Sequence, residues 1–126
     1  MSLRTDSLAH VEIIAATASS PAVCSVRGEI DISNVDTLRA ALAEAFRRWP
    51  SLVVDLGEVT FFASAGIRAL LDARTGHADR TMTIVTGRAV ETILRICGMA
   101  SVASCHPDRE SAAHACLAQA RATRRP

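Results

Sequence analysis

LVVDLGEVTFFASAGIRALL, residues 52–71, changes its rhythm halfway along. Residues 52–56 are apolar except for Asp55, the pattern of a central strand buried on both faces. Further on, Ile67, Leu70 and Leu71 recur at helical spacing, and Gly76 stands where such a helix would end. Between the two patterns lies Ser64, flanked by Ala63 and Ala65. The fold depends on whether this strand-to-helix unit repeats, and the function on what the serine does there.

The unit does repeat. TMTIV (81–85) reads as a strand, TGR as a turn, and AVETILRIC (89–97) as a helix with Val90, Ile93, Leu94 and Cys97 inward. Gly98 ends that helix, and Met99 is placed to fold back on Leu94. Upstream, Ser33 or Asn34 can cap a helix whose apolar face is Val35, Leu38, Leu42, Ala45 and Trp49, with Pro50 at its end. VEIIAA (11–16) and AVCSVRG (22–28) read as paired strands around the turn SSP. A short edge strand near 101–103 and a last helix from about Asp108, with Ala113, Cys116, Leu117 and Ala120 inward, complete the chain. Alternating strands and helices imply right-handed crossovers and a mainly parallel α/β sheet. Its strand-to-helix loops then share one rim, which would carry Asp31, Ala63 with Ser64, and Thr86 with Gly87.

Composition bounds the function. A chain of 126 residues, 49% hydrophobic, is expected to form one domain over 1–126, with a core at about 11–117 and flexible ends. A formal net charge of +1, with both signs mixed along the chain, leaves no footprint for nucleic acid or an anionic membrane. The basic tail RATRRP (121–126) reads as a solvated end. MSLRTDSLAH lacks the apolar segment of a secretory signal, and no run reaches the length of a membrane span, so a cytoplasmic protein is expected. Cys24, Cys97, Cys105 and Cys116 show no CxxC spacing and read as free thiols. Cys105, His106, His114 and Cys116 do not make a convincing metal site, because positions 114 and 116 diverge on a helix.

Three roles compete for Ser64. As a helix cap, its oxygen would accept from orphan amides of the first turn. As a nucleophile, it partly matches the GxSxG elbow of hydrolases, but Phe62 occupies the first glycine position. Asp72 and His77 fall about 12 Å or more along the helix at ~1.5 Å per residue, too far to activate it. The third role is that of a regulatory acceptor on a docking surface.

GEIDIS (28–33), LVVDLGEVTFFASAGI (52–67) and AVETILRICGM (89–99), in that order, resemble the STAS domain of bacterial anti-sigma factor antagonists. The resemblance implies a mostly parallel sheet of four to five strands with helices mainly on one face. It implies a protein without catalytic residues, cofactor or metal, which binds an anti-sigma factor that is also a serine kinase. Phosphorylation at the start of the second helix, in a stretch commonly written DSSG or DTSG, would release the partner until a serine phosphatase reverses it. Ser64 falls on the acceptor and Gly66 on the motif's glycine, while Asp31 matches a residue of the partner-binding rim. The expected docking surface comprises Asp31 and Ser33 from one loop, and Phe62, Ala63, Ser64, Ala65, Gly66 and Arg68 from the other. Nucleic acid and membrane are not among the implied partners, and the protein is expected to be a monomer or weak dimer. Ala63 departs from the family, whose members usually carry Asp there. That departure leaves open a STAS adaptor that docks a sensor, transporter or signalling complex without being phosphorylated.

Overall fold

The computed structural model describes residues 9–124. Strands β1 (Ala9–Ile14) and β2 (Ala22–Ile30) form an antiparallel pair. Helix α1 (Val35–Arg48), β3 (Ser51–Phe62), α2 (Ser64–Gly76), β4 (Thr81–Thr86), α3 (Arg88–Ile96), β5 (Ser104–His106) and α4 (Arg109–Arg124) follow. The five strands lie in sequence order, and every pair after the first is parallel. Each crossover therefore advances the sheet in the same direction, and right-handed connections put α1, α2 and α3 on one face. One core joins Leu38, Leu42 and Phe46 of α1, Leu70 of α2 and Leu94 of α3 to the strand side chains Cys24, Leu52, Val54 and Ile84.

Side chains that alternate to the other face meet α4. Val53 and Val85 pack with Ala112 and Cys116 in a second, smaller core. Both faces of β3 are thus covered, which is why its lower half tolerates a continuous apolar run. The Thr83 hydroxyl, fully buried on this side, donates to the Ala112 carbonyl at 2.9 Å. Arg109, at the start of α4, bonds both Asp55 and Ser25. The helix is pinned to the sheet by an ion pair above its apolar contact.

Several expectations shift. The outer strand spans Ser104–His106 rather than 101–103, because Met99–Ser101 form a turn of 3-10 helix that inserts Met99 into the core. Gly98 makes that turn possible, taking a left-handed φ of 74° that few other residues adopt. α3 ends at Ile96, so Cys97 leaves the helical stripe and is exposed rather than inward. In α1, Phe46 is fully buried while Trp49 lies beyond the helix end, half-exposed. In α4 the inward positions are Ala112, Cys116 and Ala120, with Ala113 and Leu117 at the margin.

β2 and β3 both run further than their apolar runs suggest. β3 pairs with β4 only up to Leu56, opposite Thr86; its remainder pairs with β2 alone, to Ile30 opposite Phe62. Two register shifts interrupt this ladder, the second at Gly28, whose φ of 91° accommodates the bulge. The extension carries the ends of β2 and β3 on the order of 20 Å past the end of β4, at ~3.3 Å per residue.

Candidate functional site

The end of this extension holds the loops before α1 and α2 together. The Ala63 amide donates to the Ile30 carbonyl at 2.9 Å, tying one strand-to-helix turn to the other. The first loop is organised from within. Asp31 Oδ1 accepts from the Ser33 amide at 2.9 Å and from its hydroxyl at 2.5 Å. Asn34 Oδ1 accepts from the Asp31 amide, and its Nδ2 donates to the Glu29 carbonyl, both at 2.9 Å. Neither Ser33 nor Asn34 caps α1 with its side chain; Asn34 occupies the cap position but spends its amide on the loop. The Ser33 bonds hold the Asp31 carboxyl below its ordinary value of 3.8, so it is charged at neutral pH. With its neighbours tied down, Ile32 is turned outward and is 81% exposed.

In the second loop, Ala63 takes the cap position of α2 with extended backbone, and its carbonyl accepts from the Gly66 amide at 2.9 Å. Ser64 is the first residue inside the helix rather than its cap, and no side-chain hydrogen bond closes this end. Its side chain is exposed. Free amides at the start of a helix favour an anion, and the first turn of α2 carries no acidic residue to oppose one.

Around Ser64 lies an open depression of about 480 Å³, lined by Ile32, Ser64, Ala65, Ile67, Arg68, Leu71 and Cys97. Cys97, just past the end of α3, reaches it, and α3 packs chiefly on β3 rather than on β4. Arg68 is exposed and paired with Asp72 at 3.1 Å, and Asp72 also accepts from Arg39 at 2.9 Å. The Arg39 bond comes first among the causes that keep the Asp72 carboxyl below its ordinary range.

The structure brings Asp31, Ser33, Ala63, Ser64, Ala65 and Arg68 to this end of the extension with exposed or half-exposed side chains. Phe62 does not join them. It is 4% exposed and lies directly beneath Gly66, where an added Cβ would stand 2.7 Å from its ring. Gly66 is itself buried, and its smallness serves this contact. Phe61, one residue earlier, is the exposed aromatic, at 52%. Gly87 is also displaced from the expected rim, since its backbone packs against Gly57, within the sheet body. Ile32 and Cys97 were not anticipated. Ile32 had a signal, an apolar residue isolated in the polar loop DISN; Cys97 had none, because its position continues the apolar stripe of α3.

Among the described residues, the Asp72 and His77 side chains that follow Ser64 are engaged elsewhere. Asp72 is held by two arginines, and the His77 ring stacks on Phe46 at 5.1 Å with its Nδ1 3.1 Å from the Ala73 carbonyl oxygen. His106 contacts Ser104, and among the described residues no three His, Cys, Asp or Glu side chains are grouped to hold a metal ion. No described helix is long and apolar enough to cross a membrane. A half-enclosed cavity of about 420 Å³ between α3 and β5, lined in part by Glu91, Cys105 and His106, shares no residue with the Ser64 depression.

Comparisons with known proteins agree with this architecture. The chain is similar to an anti-sigma factor antagonist from Mycobacterium paratuberculosis, with TM-score 0.76 and 24% identity over 90% of this chain and 94% of that one. It is also similar to the anti-sigma factor antagonist SpoIIAA in its unphosphorylated form, with TM-score 0.68 and 14% identity over 90% of this chain and 97% of that one. A STAS-domain antisigma-factor antagonist from Rhodobacter sphaeroides aligns with TM-score 0.50 and 16% identity, over 68% of this chain and 91% of that one. At these identities the likeness is one of fold. No curated protein matches the chain. The family model described as "Mlab, STAS domain" matches residues 14–103, which include β2 through α3 and the whole Ser64 depression. This chain belongs to the STAS domain family.

Proposed function

We propose that this protein is an anti-sigma factor antagonist, a non-catalytic switch that binds an anti-sigma factor serine kinase while Ser64 is unmodified and lets go when Ser64 is phosphorylated. The observation that carries the reading is the Ser64 hydroxyl, exposed and uncapping at the start of α2, inside a depression whose rim is set by Ile32 and Arg68. A phosphate there adds about −1.5 to −2 charge at neutral pH. The folded chain tolerates it, because the helix start favours an anion. A partner packed against Ile32 and Ala65 would have to desolvate the same charge, so binding fails while the fold holds. Affinity capture from a lysate of the source organism, with and without ATP, followed by intact-mass measurement of the bait tests this. The expected result is a captured serine kinase that is lost with ATP as the bait gains one phosphate on Ser64.

A second reading has its own observation. Ala63 occupies the cap position of α2 and no acid lies in the first turn, so nothing local orients the hydroxyl for transfer. An adaptor that docks a sensor, transporter or signalling complex without modification would need no such group. Ala63→Asp separates the two: a raised initial rate with the captured kinase supports the switch, and no phosphate on either protein supports the adaptor.

A further inference from the structure

The sheet has two edges, and they differ. β5 is three residues long and runs into Pro107, a blunted edge that offers little to pair with. β1 is six residues long, continuous in register with β2, and contains no proline, lysine or bulge. It is last in the strand order, so its outer backbone groups have no strand neighbour among the described residues. Its only formally charged side chain is Glu12. Val11 and Ile13 turn inward against the core, while His10, Glu12 and Ile14 point to the opposite face and are exposed.

We infer that this edge pairs with the same edge of a second copy, as an antiparallel β1–β1 contact on a twofold axis perpendicular to the sheet. That symmetry keeps the helix-covered faces of both copies on the same side, so residues opposite one another must have positions whose sum is even. Few registers then remain. Centred on Glu12, the pairing sets two carboxylates against each other, which is destabilising. Centred on His10, it sets two imidazoles together and leaves Glu12 with no partner from β1. Centred on Val11, it places His10 opposite Glu12 of the second copy, twice by symmetry. Val11 then meets Val11 and Ala9 meets Ile13 on the core side. This register alone gives the carboxylate a donor on each side of the axis. β3, which leads into Ser64, is two places further into the sheet, so the edge contact leaves the depression around Ser64 open.

The contact is a single strand pair, so a weak reversible dimer is expected, seen by sedimentation equilibrium as the concentration is raised toward millimolar. Amides of β1 should gain hydrogen-exchange protection over the same range. His10→Glu puts two glutamates opposite Glu12 and should weaken the dimer about tenfold or more, because one substitution alters two symmetry-related pairs. His10→Glu with Glu12→His restores the opposition and should restore the parent association. Both positions are exposed, and melting curves verify that each variant is folded. A protein that stays monomeric throughout, a dimer that His10→Glu leaves unchanged, or a double variant that stays weak would each overturn the proposal.

Discussion

At Ser64 and Gly66 the roles of side chain and backbone can be separated by substitution. The Ser64 hydroxyl caps nothing, so Ser64→Ala should change stability by no more than about 0.5 kcal/mol. It should bind the partner and no longer respond to ATP. Ser64→Asp puts an acid in the first turn, a favourable interaction of about 0.3–1 kcal/mol with the helix dipole, yet it should lose partner affinity. Melting and partner titration of both variants measure this inversion; parent-like binding by Ser64→Asp would place the interface elsewhere. Gly66→Ala is the contrasting case. Helix propensity favours alanine by about 1 kcal/mol. The new Cβ, however, would sit 2.7 Å from the buried Phe62 ring, and overpacking costs about 1–3 kcal/mol. We expect net destabilisation in denaturant titrations at unchanged slope, relieved when Phe62→Leu is added.

At the scale of an element, α4 depends on its first turn. The Ser111 amide donates to Asp108 Oδ1 at 2.8 Å, and this bond is the main reason the Asp108 carboxyl lies below its ordinary value of 3.8. A carboxyl whose folded pKa is depressed contributes its full share above the unfolded value. That share is lost as the pH falls through the folded one. Acid titration of the parent should therefore show an Asp108-dependent loss of stability below about pH 4, whereas Asp108→Asn, a neutral cap, should lack that part of the acid limb. Identical acid limbs in the two proteins would show that Asp108 is not coupled to folding.

For the molecule as a whole, four thiols report on its layers. Cys24 lies in the core shared with α1, α2 and α3, and burial pushes its thiol up to about 12; Cys116 lies on the buried face of α4, where burial also raises it. Cys105 is partly buried and raised, first by burial and then by Glu91, whereas Cys97 is exposed at the rim. Native labelling at neutral pH, mapped by mass spectrometry, should modify Cys97 first and Cys105 more slowly. Cys116 should follow ahead of Cys24, because the α4 layer buries fewer side chains and opens at lower free energy than the main core. Equal rates for Cys24 and Cys116 would mean that both layers open in one event.

What the sequence determined by itself is what local order can carry. The apolar run 52–56, the helical recurrence of Ile67 and Leu70 and the stop at Gly98 specified a parallel sheet with crossover helices, and placed Ser64 at a strand-to-helix junction. Periodicity names the apolar residues and the spacing between them. It does not say which side of an element the rest of the chain will cover. Phe61 and Phe62 are equally apolar neighbours, and the ladder with β2, offset by the bulge at Gly28, turned Phe62 into the core and Phe61 out. Cys97 fits the stripe of α3, yet the helix ended one residue short of it and, with α3 packed chiefly on β3, it lies beside Ser64. Asn34 was available as a cap until Glu29 and Asp31 came within its reach. The placement of α4 on the opposite face followed from β5 being the last strand, after which Val53 and Val85 were the apolar surface left uncovered. Apart from Asn34, whose partners lie three and five residues away, these were decided by contacts between residues far apart in the chain, and only the folded sheet brings those together.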